Sequence, residues 1–210
     1  MRLTDDRKEY VAGSLDDSAL HVDPWVLFAR WLDEYRATGA SDATAFALST
    51  ISREGFPDSR VVLLKDAKEG SLVFYTNYAS KKGQDLEAHP HAHALFFWPS
   101  LERQMRIFGA VERVDAVVSD AYFHSRPIGS QRGAIASAQS QYVSGRGALE
   151  AQFAQAEAIP EADLKRPEYW GGYSLRVERM EFWQGRPNRM HDRIVFTKSK
   201  SGWTAERLQP

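Results

Sequence analysis

Cations stand at the places where the sequence pattern changes from one element to the next: Arg60, Lys65, Lys81, Lys82, Arg103, Arg106, Arg126, Arg189 and Arg193. The chain as a whole balances 27 Lys+Arg against 28 Asp+Glu for a net charge of -1, so clustering of these groups would be local and would call for an anionic ligand. Arginine offers phosphate oxygens a planar fork, lysine a point charge, and a helix amino terminus a set of oriented N–H donors. Ser80, Lys81 and Lys82 bring a capping hydroxyl and two ammonium groups into one turn. The competing reading is charge on solvated faces. It weakens at Arg60 and Lys65, where the cation interrupts an apolar run.

A second set is amide and hydroxyl: Gln104, Gln131, Ser137, Gln139, Ser140 and Gln141, with Tyr75, Thr76 and Trp183 as candidate partners. Such groups suit a flat ring with donors and acceptors along one edge, or a polar loop that satisfies its own backbone. His89, His91 and His93 alternate and would share one face of an extended segment, but Pro90 and the lack of nearby carboxylates favour a surface strand entry over a metal site. Arg189, His191 and Arg193 alternate after Gly185 and Pro187. In extended chain they place two guanidiniums and an imidazole on one face, able to bind an anionic aromatic substrate or move a proton, or they form an ordinary hairpin rim. Neither G-x-G-x-x-G nor G-x-x-x-x-G-K-[ST] occurs, and with no cysteine the chain has no thiolate nucleophile, disulfide or Cys-based metal site.

The elements that must hold these groups are short. Asp23 and Pro24 open a helix whose Trp25, Phe28, Leu32 and Tyr35 recur at helical spacing. Strands are expected at residues 45–51, at 60–65 as a buried Val/Leu run, at 72–76, 94–98 and 103–114 with a bend at Gly109, and again at 173–182, 193–198 and 203–208. Turns fall at 53–57 and 66–70, and helices follow Ser80 and span about 115–124 and 146–158. Roughly seven strands with few long helices between them predict an α+β, mainly β protein, an antiparallel barrel with peripheral helices. Residues 155–166 read as the likeliest mobile loop, too short to divide domains, so 1–210 forms a single domain. A charged amino terminus with no apolar h-region, and no apolar run of membrane-spanning length, predict a cytoplasmic protein with no membrane or nucleic-acid partner.

Ordered segments along nearly the whole chain resemble the pyridoxine (pyridoxamine) 5′-phosphate oxidase family. They include Arg60-Val-Val-Leu-Leu-Lys65, Ser80-Lys-Lys-Gly83, Phe97-Trp-Pro-Ser-Leu-Glu-Arg-Gln104, Tyr122-Phe-His-Ser-Arg-Pro127, Trp170-Gly-Gly-Tyr173, Arg189-Met-His-Asp-Arg193 and Arg207-Leu-Gln-Pro210. The resemblance implies a split β-barrel and a homodimer with FMN at the subunit interface. It implies oxidation of phosphorylated B6 vitamers by O2 to pyridoxal 5′-phosphate with release of hydrogen peroxide. Carried over by position, FMN would meet Arg60, Val61, Val62, Leu63, Leu64, Lys65, Tyr75, Thr76, Lys81, Lys82, Gln139 and Ser140 through its phosphate and ribityl chain, and Gln104, Trp183 and Arg193 through its ring. The substrate phosphate would meet Lys65, Tyr122, Arg126 and Ser130. Arg189, Met190 and His191 would lie over its ring, with Arg189 and His191 catalytic. Within a mobile segment 1–22, Arg7, Lys8, Glu9 and Tyr10 resemble the family's substrate-covering stretch.

Two positions depart from the pattern. Lys81 stands where Arg is usual, keeping the charge without the fork, and Met190 replaces Leu at similar volume. A related branch oxidises phenazine precursors on the same fold, and a non-catalytic carrier of FMN or pyridoxal phosphate is the third reading. The intact set of Lys65, Tyr122, Arg126 and Ser130 favours the vitamin phosphate.

Overall fold

The computed structural model describes residues 8–68 and 70–210; Arg7 lies outside them. The expected antiparallel barrel with peripheral helices is present, built on one nine-stranded sheet. Its strands are β1 (Ala45–Ile51), β2 (Pro57–Leu63), β3 (Asp66–Lys68), β4 (Ser71–Asn77), β5 (His91–Trp98), β6 (Arg103–Arg113), β7 (Trp170–Gln184), β8 (Asp192–Ser199) and β9 (Gly202–Leu208). The order is β2-β1-β5-β6-β7-β4-β3, with β8 on β7 and β9 on β8.

β7 organises this sheet. β6 pairs along its whole length on one side, while on the other β4 takes residues 170–176 and β8 takes 179–184. Beyond β2 the chain turns inward, where Leu64 N–H donates to Thr44 O and Lys65 N–H to Val73 O, drawing the sheet round on itself. The interior holds Phe46, Phe74, Phe96, Trp98, Phe182 and Phe196. Helix α1 (Pro24–Ala37) covers one end of it. Asp23 caps that helix through the N–H groups of Trp25 and Val26, and Trp31 packs edge-on against Trp98 and Phe182.

The remaining helices are α2 (Lys81–Ala88), α3 (Ala116–Ser125), α4 (Ile128–Ala136) and α5 (Arg146–Glu157). None of the helices among the described residues is long and apolar enough to cross a membrane. Three expectations need correction. The Val/Leu run at 60–65 is no buried strand: β2 is a sheet edge whose alternate residues face out, with Val61 68% exposed. Residues 155–166 begin inside α5 and are pinned by buried Ala156 and Leu164, so they are not a free loop. Helix α4 was not anticipated.

The bend expected at Gly109 is a register shift between Phe108 and Gly109 in the β6–β7 ladder. A Cβ at Gly109 would lie 1.9 Å from the carbonyl oxygen of Arg176, so backbone occupies the space of any side chain. Gly109→Ala is expected to destabilise the fold by about 3 kcal/mol as the two strands are forced apart, read as a lowered urea midpoint. An unchanged midpoint would contradict the packing described for this bulge.

Candidate functional site

A cavity of about 950 Å³ opens between β2, β4, the start of α2, the helices α3 and α4, and the stretch 137–140. That volume suits a cofactor-sized ligand. Arg60, Val61, Val62, Leu63, Lys65, Tyr75, Thr76, Lys81, Lys82, Tyr122, Arg126, Ser130, Gln139 and Ser140 all line it. The side chain of Leu64 does not, because it packs in the core.

Lys82 is the most telling of these groups. Ser80 caps α2, accepting from Gly83 N–H and donating to Asn77 O, and so directs the first turn at the cavity. The Lys82 ammonium, in a residue only 7% exposed, donates to Thr76 Oγ1 (3.2 Å), Ser80 Oγ (3.2 Å) and Gln139 Oε1 (3.0 Å). All three partners are neutral, and among the described residues no carboxylate is within ion-pair distance of it. Burial, and then the nearby Arg60, lower its pKa to about 8. Arg60 and Lys81 are arranged differently. Arg60 donates to Thr50 Oγ1 and Leu48 O and pairs with Asp58 at 2.6 Å, while Lys81 pairs with Asp85 one helical turn on. Burial works against the Asp85 carboxylate, yet hydrogen bonds from Lys81 and Thr50 hold it below the ordinary range.

The far wall is aromatic. Tyr75 stacks on Tyr122 with ring centroids 3.8 Å apart, and Trp170 lies nearly parallel to both. Gly172, opposite Tyr75 on β7, permits this, since its Cβ would sit 2.8 Å from the Tyr75 ring. Arg126 lies over Trp170 at 4.6 Å, and its Nη1 is buried without a hydrogen-bond partner. Ser130, Gly133 and Ala134 enter from α4, the helix that sequence reasoning missed. Its glycines mask helical periodicity. Gln131, anticipated as a ligand amide, instead donates to Arg126 O and fixes that backbone. Trp170 was visible only as the aromatic before a Gly-Gly pair.

The other predicted set lies elsewhere. Strand register places Phe97, Gln104, Trp183 and Arg193 in one row across β5, β6, β7 and β8. Arg193 donates through Nε and Nη2 to Glu181 Oε1 at 2.9 and 2.8 Å. His191 packs 4.6 Å from Trp183, with Tyr10 edge-on to both, and its Nδ1 accepts from Arg186 N–H. Burial, and then Arg189, push the His191 pKa down. The expected Arg189, His191, Arg193 alternation is broken, because Pro187–Arg189 is a 3-10 turn with Asn188 and Arg189 at positive φ. Only Asp192 onward is extended. Met190 is exposed, Lys8 pairs with Glu102, and Glu9 accepts from Asn188 N–H. None of these residues lines the cavity described above.

An anion bound at Lys82 would restore the protonated ammonium, so binding takes up a proton between about pH 8 and the ordinary lysine range. Affinity of the cavity for a phosphate ester is therefore expected to be flat between about pH 7 and pH 8 and to fall by up to about tenfold per unit above it, measured by calorimetry in buffers of different ionisation enthalpy. A Lys82→Met variant that keeps the same pH profile would exclude Lys82 as the source.

Residues 32–160 match the family described as pyridoxamine 5′-phosphate oxidase, and residues 170–210 match the pyridoxine 5′-phosphate oxidase C-terminal dimerisation region. Curated proteins named pyridoxine/pyridoxamine 5′-phosphate oxidase from Herminiimonas arsenicoxydans and Bordetella pertussis are each 46% identical over 211 residues, with both chains fully covered. Among solved structures, PhzG from Burkholderia lata 383, in complex with tetrahydrophenazine-1-carboxylic acid, superposes with a TM-score of 0.83 at 28% identity, over 90% of this chain and 93% of the other. An FMN binding protein from Nostoc punctiforme, related to pyridoxamine 5′-phosphate oxidase, gives 0.73 at 17% identity over 90% and 99%, which bears on the fold alone. The split barrel, the segments that line its cavity and the full-length identity agree: this chain belongs to the pyridoxamine 5′-phosphate oxidase family.

Proposed function

We propose that the chain acts in the cytoplasm as an FMN-containing homodimer that oxidises pyridoxine 5′-phosphate and pyridoxamine 5′-phosphate with O2. The products are pyridoxal 5′-phosphate and hydrogen peroxide, with ammonia from the amine. One observation carries this reading: a single cavity is lined both by Lys82, with Arg60 and Lys81, and by Arg126, whose Nη1 has no hydrogen-bond partner. Two phosphoesters would satisfy both. The matched families and curated relatives support the same assignment.

Bound FMN would supply the hydride acceptor and the route for electrons to O2. On this reading Arg60, Lys81, Lys82, Thr76, Gln139 and Ser140 hold its phosphate and ribityl chain. Val61, Val62, Leu63, Leu64 and Tyr75 give the adjoining backbone and wall. Lys65, Tyr122, Arg126 and Ser130 bind the substrate phosphate, with Arg126 kept in place by Trp170. Gln104, Trp183 and Arg193 meet the flavin ring, while Arg189 orients the pyridine and His191 binds it or moves the C4′ proton. Lys8, Glu9 and Tyr10 cover that face.

Two copies are needed for this arrangement. Trp170 and Trp183 stand toward opposite ends of β7, roughly 40 Å of extended chain apart, which supports the His191 side of one chain meeting the cavity of the other. The row bearing Gln104 and Trp183 also carries exposed Phe97, on a sheet face that continues to exposed Val61 on β2. A face of this kind marks an interaction surface, and the match to a dimerisation region supports a second copy as its partner.

The purified chain is expected to be yellow and to form pyridoxal phosphate and peroxide from both phosphorylated substrates but not from unphosphorylated pyridoxine. Arg189→Ala should retain its flavin and lose about 100-fold in turnover, as expected when a group that orients the reacting ring is removed. Unchanged kinetics would remove Arg189 from the site. Turnover of a phosphate-free aromatic acid instead would favour chemistry of the kind suggested by the phenazine-bound neighbour.

A further inference from the structure

Glu102 is a buried acid outside the cavity, in the turn between β5 and β6, held at φ 54 in the left-handed region. Its carboxylate accepts from Lys8 Nζ at 2.8 Å through one oxygen and from Ala12 N–H at 2.8 Å through the other. Its backbone carbonyl accepts from Gly185 N–H at 2.7 Å and from the Gln184 side-chain amide at 3.3 Å. One residue thus ties two stretches far apart in sequence. The first is the amino-terminal stretch 8–12. The second is the foot of the loop that carries Arg189 and His191.

What lies between those ties is Tyr10, whose ring meets the edges of Trp183 and His191 at 5.8 and 5.7 Å. Gly185 leaves room for it, since a Cβ there would come within 2.8 Å of the Tyr10 ring. Burial opposes the Glu102 charge, but the hydrogen bonds from Lys8, Ala12 and Val11 hold the carboxyl below the ordinary range. A carboxylate taken out of water in this way needs such donors, and here they come from the amino-terminal stretch itself.

We propose that Glu102 is a positioning residue: it clamps residues 8–12 onto the 185–191 loop and so holds Tyr10 as a wall against His191. The inference deepens the function proposed above, because it matters to catalysis only if His191 faces substrate. The clamp can nevertheless be tested apart from turnover.

Three variants of the full-length, flavin-loaded chain serve. Glu102→Ala removes the carboxylate and every bond made to it. Glu102→Gln keeps an acceptor for Ala12 but not the ion pair. Lys8→Met removes the ion pair through a side chain that is 63% exposed and keeps the Ala12 bond to Glu102. Hydrogen exchange of the peptide containing residues 9–13 should quicken by about tenfold in Glu102→Ala and less in the other two, with β6 peptides unchanged. The His191 ring, titrated by NMR, should move upward toward an ordinary imidazole as the Tyr10 cover is lost. KM for pyridoxine phosphate should rise severalfold with FMN retained. Wild-type exchange at 9–13 in both Glu102→Ala and Lys8→Met overturns the clamp. Faster exchange with an unmoved His191 titration overturns the positioning role. If no variant, nor the wild-type chain, turns over pyridoxine phosphate, the assigned function falls, while exchange and the His191 titration still decide the clamp.

Discussion

The cavity is built around two cations, Lys82 and Arg126, for which no ion pair is made among the described residues. Lys82 has three hydrogen bonds, all to neutral oxygens, and Arg126 keeps one buried nitrogen with no partner. Burying a charge without an ion-pair partner is costly, and burial, with Arg60 nearby, holds the Lys82 pKa down to about 8. The scaffold meets it by rigid support. Ser80 caps α2, Asn77 holds Ser80, Trp170 lies under Arg126, and Gln131 fastens the backbone beside it. Arg60 and Lys81 are paired with Asp58 and Asp85, so the same cavity contains cations with a carboxylate partner beside cations with neutral partners only.

This division also explains why the near-neutral net charge carries little information about function. The electrostatic feature is confined to one cavity and is balanced by acids spread over the rest of the chain. Beside that charge stands the aromatic wall of Tyr75, Tyr122 and Trp170.

Local signals were legible in the sequence, and their partners were not. Asp23-Pro24 and Ser80 marked helix starts because capping is a matter of adjacent residues, and Gly109 marked a bend because only glycine tolerates the bulge. By contrast, α4 carries two glycines and no apolar period, and β2 reads as a buried run although a sheet edge exposes half of it. The turn at Pro187–Arg189 was masked by the alternation of charged residues: Pro187-Asn188 suits a turn, but the positive φ of Arg189 leaves no mark in residue type. Most of the cavity lining was identifiable through resemblance by position. Which residues neutralise which, such as Glu181 with Arg193 or Glu102 with Lys8, depends on sheet register and long-range contacts that spacing does not encode.

A phosphate is the ligand that Lys82 and Arg126 are proposed to serve. The direct measurement is the affinity of the flavin-free chain for FMN against that for riboflavin, which differs only by lacking the phosphate, followed by quenching of flavin fluorescence near neutral pH. Loss of several charge-assisted hydrogen bonds predicts binding of riboflavin weaker by about 100-fold or more. Equal affinity for the two would show that Lys82 and its neighbours do not serve a phosphoester, and the assignment of the cavity would be wrong.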